Sequence, residues 1–118
     1  MEVKESGLFQ RALVLTFWVL IVVTFLVSTW PRPFRVPGDP SDKLLHFSIF
    51  LVLTALAAAA YPKARLARIG VGMALFGAAI EAVQAMPFVN RSPEFLDWIA
   101  DIAGAGLALM AAALIRRL

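Results

Sequence analysis

Four long stretches of the sequence carry almost no charge, and this pattern leaves few folds open to the chain. Residues 12–31 contain no charged side chain, and in 44–62 the one group that titrates near neutral pH is His46. Residues 69–90 hold a single acid, and 102–115 are again uncharged. A helix that crosses a bilayer needs about 20 predominantly apolar residues. The pattern therefore predicts four membrane-spanning helices.

The composition supports the same class of protein. Of 118 residues, 61% are hydrophobic and 16% are charged, with a mean hydropathy of +0.82. A soluble domain is about 25% charged, so a soluble helical bundle is disfavoured. The net charge of +3 does not indicate nucleic-acid binding here, because basic residues flanking membrane helices set topology. The absence of cysteine excludes disulfides and cysteine-based metal sites.

We predict an all-α fold, a four-transmembrane-helix bundle that forms one membrane domain over residues 1–118. Its helices are expected at about 9–30, 40–61, 64–86 and 93–115. The first apolar stretch exceeds the 7–15 residues typical of a signal peptide, so it is expected to remain as a helix. Four prolines in 31–40 prevent a helix there. Asp39 and Ser92 are placed to cap the second and fourth helices.

The basic residues predict the orientation. Seven of them fall on the side that carries both ends of the chain, and four fall on the other side. The positive-inside rule places the seven in the cytoplasm, which gives an N-in/C-in topology. An aromatic belt is then expected at the outer interface, formed by Trp30, Phe34, Phe88, Phe95 and Trp98.

The acids are distributed more unevenly than the bases. Six of the eight fall on the predicted outer side, together with His46 and Gln84; they are Asp39, Asp42, Glu81, Glu94, Asp97 and Asp101. Residues three, four or seven apart share one face of a helix. We therefore expect these side chains to converge at the outer mouth of the bundle, since a charged group in a membrane helix is unfavourable without a partner.

Small residues at a spacing of four mark two of the predicted helices. Gly70, Ala74, Ala78 and Ala82 form one row, and Ala100, Gly104, Ala108 and Ala112 form the other. Such rows let two backbones approach closely. The third and fourth helices are therefore predicted to pack against each other along them.

The polar residues allow three uses. His46, Glu81, Asp97 and Asp101 could act as general acid or base, or as ligands of a divalent cation. Lys43 and Arg91 could hold a phosphate. The whole set could instead be a structural plug that fixes the register of the helices. The residues alone do not decide between these uses, and they leave the cofactor and the metal unknown.

The polar positions also form an ordered set of short motifs. Asp42-Lys43-x-x-His46-Phe47-x-x-Phe50 is followed by Glu81-x-x-Gln84, by a loop with Arg91, and by Asp97-x-x-x-Asp101-x-x-Gly104. Over about residues 40–110 this order resembles the VanZ-like family of small bacterial membrane proteins.

The resemblance implies a multi-pass protein of the bacterial cytoplasmic membrane. The namesake of the family is associated with low-level resistance to the glycopeptide teicoplanin. The resemblance therefore implies a protein that binds or modulates a cell-envelope component, such as a lipid-linked precursor or a glycopeptide, among the membrane lipids. An enzyme acting on a lipid-linked substrate is the alternative. The ligand-binding positions carried over are Asp42, Lys43, His46, Glu81, Gln84, Arg91, Asp97 and Asp101. So short a chain also suggests a homo-oligomer that shares its site.

Overall fold

The computed structural model of the chain is an antiparallel bundle of four helices. The structure describes residues 2–31, 40–89 and 94–118, and the side chains from residue 7 onward. The helices are α1 (Glu2–Thr29), α2 (Pro40–Ala60), α3 (Leu66–Gln84) and α4 (Phe95–Arg117). A short 3-10 turn, Pro87–Val89, follows α3, and the described residues contain no strand. The predicted all-α four-helix bundle is confirmed.

All four helices are long and apolar enough to cross a membrane. Many large apolar side chains face outward, among them Leu15 and Trp18 on α1 and Leu75 on α3. An apolar surface of this kind is rare on soluble monomers. The chain therefore has the architecture of a multi-pass membrane protein.

The helix bounds differ from the predicted ones where polar residues extend or shorten an apolar stretch. α1 begins at Glu2 rather than at about residue 9, because the polar residues before Gly7 continue the helix beyond the apolar span. α3 begins at Leu66 rather than at about residue 64, after Arg65 in an extended conformation. It ends at Gln84 rather than at about residue 86. Pro87 disfavours a helical conformation at the residue before it. α4 continues through Arg117, since arginine is a good helix former and is favourable near a helix C-terminus.

Contacts at the two ends of the bundle fix the up-down-up-down arrangement. At one end, the Gln10 side chain of α1 donates a hydrogen bond to the Ala60 carbonyl of α2, at 2.7 Å. At the same end, Arg116 of α4 donates to carbonyls near the end of α2, including that of Tyr61. At the opposite end, the last turns of α1 and α3 lie beside the first turns of α2 and α4. This end carries the polar side chains and is called the rim end below.

The apolar core lies between the helices below the rim end. Phe50 and Leu53 of α2, Ile80 and Met73 of α3, and Phe17 of α1 are its large members, and each is at most 6% exposed. α2 packs most extensively against α4 and also contacts α1 and α3. Only a small share of α1 is buried. α2 is therefore the central helix, and α1 lies at the periphery.

The small residues of α4 pack against α2, which corrects the predicted partner. A Cβ at Gly104 would overlap the carbonyl group of Phe47 and would lie 3.1 Å from the backbone nitrogen of Leu51. α3 does pack against α4 with its predicted row: a Cβ at Gly70 would lie 2.9 Å from Leu109, and the Trp98 ring donates a hydrogen bond to the Ala74 carbonyl. Only the row of α4 faces a helix other than the predicted one. The spacing of small residues indicates that a helix packs closely, but the spacing does not specify the neighbouring helix.

Alanine at Gly104 should therefore destabilise the bundle. Overpacking costs about 1–3 kcal/mol, and the gain in helix propensity over glycine is about 1 kcal/mol. Gly106 on the same helix is the matched control, since a Cβ there meets no atom within 4 Å. We expect Gly104→Ala to lower the melting temperature in detergent, measured by circular dichroism, and Gly106→Ala to leave it unchanged or raise it. Equal melting temperatures for both variants would contradict the close approach of α2 and α4.

Candidate functional site

The buried faces of the helices continue without a break from the apolar core into the polar residues at the rim end. On α4 the buried positions are Asp97, Asp101, Gly104, Ala105 and Ala108, which share one helix face. On α2 the buried face begins at His46 and continues with Phe50. Because the polar residues occupy these inward-facing positions, their side chains point into the bundle. The predicted convergence holds for the described acids and for His46, but not for Gln84. We call the set Asp42, Lys43, His46, Glu81, Glu94, Asp97 and Asp101 the acidic rim.

The imidazole of His46 lies at the centre of the acidic rim. Its Nδ1 is 2.8 Å from Oδ1 of Asp101, and both side chains are nearly inaccessible, at 10% and 1% exposed. Its Nε2 faces Oδ2 of Asp97 at 3.7 Å and Oδ2 of Asp42 at 3.8 Å. One ring nitrogen is thus fixed by a carboxylate, and the other faces two further carboxylates without a short hydrogen bond to either.

The ammonium group of Lys43 is held by two acids of α4. Nζ donates to Oδ1 of Asp97 at 3.0 Å and to Oε2 of Glu94 in a very short contact. Asp97 is fully buried, so this lysine, 22% exposed, provides the positive charge that a buried carboxylate needs. The structure therefore disfavours the predicted binding of a phosphate by Lys43, because the phosphate would compete with two carboxylates for the ammonium group.

Glu81 connects α3 to the beginning of α4. Its Oε2 accepts a hydrogen bond from the backbone N–H of Glu94, at 2.9 Å. Glu94 precedes the first residue of α4 and makes no side-chain cap of its own. A carboxylate at this point satisfies a free N–H group and stabilises the positive end of the helix dipole. Oε1 of Glu81 is buried and has no hydrogen-bond partner among the described residues.

Gln84 stands apart from the residues around the imidazole. The Gln84 amide is fully buried and donates to the carbonyl of Ser28, at 2.7 Å, so its observed contact is with α1. Arg91, the other predicted phosphate-binding residue, lies outside the described residues, as do the two predicted caps Asp39 and Ser92. The role predicted for Arg91 stays a prediction.

An open groove beside the acidic rim was not predicted from the sequence. Ala78 and Glu81 of α3 and Phe95 and Trp98 of α4 line a space of about 320 Å³. The Trp98 ring donates its N–H to the Ala74 carbonyl at 3.0 Å, so it is held against α3 as well as belonging to the predicted aromatic belt. The spacing of Phe95 and Trp98 on α4, opposite small residues of α3, was the signal in the sequence that could have indicated the groove.

A second, smaller cavity lies on the other side of the imidazole. It measures about 50 Å³ and is lined by residues of α1 and α2, among them Thr24, Ser28, Asp42 and His46. The acidic rim is therefore accessible from two sides, from the groove between α3 and α4 and from the cavity between α1 and α2.

The geometry defines what the acidic rim can do chemically. Its described residues hold five carboxylates, one imidazole and one lysine, and the lysine is already paired. Such a set favours positively charged ligands over anionic ones. An imidazole oriented by a carboxylate can also transfer a proton or bind a metal ion through its second nitrogen.

Comparison of the chain with protein-family models, with curated proteins and with solved structures gives no match in any of the three. The resemblance to the VanZ-like family consequently stays a prediction.

Loss of the Lys43 charge should destabilise the bundle through Asp97. Lys43→Met removes two hydrogen bonds to charged groups, each with a contribution of about 1.5–3 kcal/mol. We expect a lower melting temperature, and partial recovery when Asp97→Asn is added, because the double variant no longer buries the same charge. Lys63→Met, at an exposed position of the opposite end, is the control and should change stability little. Equal melting temperatures for Lys43→Met and Lys63→Met would show that the contacts of Lys43 with Glu94 and Asp97 contribute nothing to stability.

Proposed function

We propose that the chain is an integral protein of the bacterial cytoplasmic membrane that binds a cell-envelope component at its outer face. The ligand class that fits is an amphiphile with an ammonium group. The observation that supports this proposal is the groove in which the Glu81 carboxylate adjoins two aromatic rings. The side with the acidic rim is the outer side in the topology predicted from the basic residues.

The groove offers both of the contacts that such an amphiphile requires. The rings of Phe95 and Trp98 lie 5.7 Å apart, and Phe95 is largely exposed, so an apolar chain can pack against them. An ammonium group is attracted both to aromatic faces and to a carboxylate. Glu81 lines the groove, and its Oε1 has no hydrogen-bond partner among the described residues. One carboxylate oxygen thus holds α4, while the other, buried beside the groove, contributes negative charge that no hydrogen bond among the described residues offsets.

Several envelope components share this chemistry, including ethanolamine lipids, amine-bearing lipid-linked precursors and lipid-tailed glycopeptides. The resemblance to the VanZ-like family adds glycopeptide resistance as the phenotype to examine. A protein that binds the ammonium group of such a molecule at the membrane surface would modulate its access to the envelope.

Binding should depend on the ammonium group and on the Glu81 charge. We expect detergent-solubilised protein to bind a phosphatidylethanolamine with a fluorescent acyl chain more tightly than the N-acetylated form, measured by fluorescence anisotropy. Glu81→Gln keeps an oxygen that can accept from Glu94 N–H but loses the charge, so it should weaken amine binding by about tenfold and leave the acetylated form unaffected. Glu5→Gln, near the other end of the bundle, is the matched control. The proposal is wrong if wild type shows no preference for the amine, or if Glu81→Gln keeps that preference.

A cellular assay separates the glycopeptide from the lipid. Cells that express wild type, Glu81→Gln, Asp101→Asn or Glu5→Gln at equal membrane levels would be tested for teicoplanin sensitivity. Protection by wild type, Asp101→Asn and Glu5→Gln that Glu81→Gln loses would support a glycopeptide-related role of the groove. Lipid binding without protection would restrict the function to membrane components.

The second candidate function is an enzyme that acts on a lipid-linked envelope substrate. The orientation of His46 by Asp101 favours it, since a carboxylate that fixes one ring nitrogen prepares the other to accept a proton. His46, Glu81, Asp97 and Asp101 are the candidate catalytic residues. Asp101→Asn distinguishes the two functions, because it would reduce turnover strongly while leaving amphiphile binding in the groove between α3 and α4 intact.

A further inference from the structure

Three side chains of the acidic rim place possible metal ligands around one point. Asp42 and His46 lie one turn apart on α2, and Asp97 lies opposite them on α4. One carboxylate oxygen of each aspartate and one imidazole nitrogen all lie within 4.8 Å of one another. Two ligands of one ion, each at about 2.0–2.2 Å from it, can be separated by at most about 4.4 Å. The distances from His46 Nε2, 3.7 and 3.8 Å, fall within that limit.

The imidazole provides the observation that points to a ligand. His46 is 9% exposed, and its Nε2 is directed toward Asp42 and Asp97. Both carboxylate oxygens are beyond the reach of about 3.2 Å of an N–H···O hydrogen bond. The nitrogen is therefore close to two carboxylates without a direct hydrogen bond to either. A cation between the three atoms would contact all of them.

Two neighbouring residues orient the proposed ligands His46 and Asp97, as residues next to the ligands do in metal sites. Asp101 binds Nδ1 of the same ring at 2.8 Å, which directs Nε2 away from Asp101 and toward Asp42 and Asp97. Lys43 binds Oδ1 of Asp97 and thereby leaves its Oδ2 facing the imidazole. A carboxylate on the second nitrogen of a ligating histidine fixes its tautomer and increases its basicity.

The adjoining cavity provides space for the rest of a coordination shell. Asp42 and His46 of α2 line it together with Thr24 and Ser28 of α1. A water molecule needs a cavity of about 10–15 Å³. The cavity of about 50 Å³ therefore accommodates water ligands.

We propose that Asp42, His46 and Asp97 bind one divalent transition-metal ion. The donor set of one imidazole nitrogen and two carboxylate oxygens suits Mn²⁺ or Zn²⁺ better than Mg²⁺ or Ca²⁺, for which oxygen ligands are preferred. Asp101 and Lys43 are positioning residues of this site. The site involves neither Glu81 nor the groove between α3 and α4, so it is independent of the proposed amphiphile.

The test uses the full chain in detergent after removal of metals with a chelator. We expect wild type to bind one equivalent of Mn²⁺, measured by continuous-wave electron paramagnetic resonance (EPR) titration, and Zn²⁺ to displace it. Pulsed EPR should detect a directly coordinated nitrogen, because His46 supplies the one imidazole of the chain. Asp42→Asn, at a partly exposed position in the first turn of α2, should fold and bind Mn²⁺ at least tenfold more weakly.

Two further variants distinguish a built site from general attraction to acids. His46→Gln should abolish the nitrogen coupling. Glu94→Gln removes a negative charge from the same acidic rim without removing a ligand, so it should retain the affinity and the coupling of wild type. Binding by wild type only at millimolar Mn²⁺, absence of the nitrogen coupling, or equal weakening by Asp42→Asn and Glu94→Gln would each overturn the proposal. Amphiphile binding is measured without metal, so its outcome does not depend on this result.

Discussion

The structure depends on the need to pair ionised groups inside an apolar bundle. Asp97 and Asp101 are 0% and 1% exposed, and an acid in a membrane helix is unfavourable without a partner, although near the rim end the cost is below the value of about 2.5–3.5 kcal/mol at the helix centre. Their partners, Lys43 and His46, lie on α2. The contact between α2 and α4 therefore has to be close and has to have one register. The absence of a side chain at Gly104 allows that closeness, and α3 and α1 then pack against the pair.

The polar residues divide into those that hold helices together and those with capacity for a ligand. Lys43 joins α2 to α4, Gln84 joins α3 to α1, and one oxygen of Glu81 holds the beginning of α4. The structural use considered from the sequence, a polar plug that fixes the register of the helices, thus applies to these three residues. The second nitrogen of His46 and the second oxygen of Glu81 are not used in this way. They lie on different sides of the acidic rim, which is why two separate ligands can be proposed for one small bundle.

The sequence predicted the fold and the composition of the site because both follow from periodicity and charge. Uncharged stretches located the four helices, and helical spacing brought Asp97, Asp101 and His46 to inward-facing positions. The pairing of specific helices could not be predicted in the same way. A small residue such as Gly104 shows that a helix has a close neighbour, and the neighbour is determined by the packing of all four helices. The partners of Lys43 are 51 and 54 residues away in the chain, so no local pattern shows that it is paired. Arg91 lies outside the described residues, and its role stays a prediction.

The distance along the chain between His46 and its carboxylate partner has a consequence for biogenesis. His46 and Asp101 are 55 residues apart, and α2 is synthesised before α4. His46 therefore reaches the membrane before Asp101, the acid that binds its ring, has been inserted with α4. Until α4 inserts, the polar end of α2 has to stay near the headgroups, where water can solvate it. Completion of the bundle is thus coupled to the arrival of the last helix, and a chain truncated before α4 would expose an unpaired polar surface of the kind that quality-control proteases recognise.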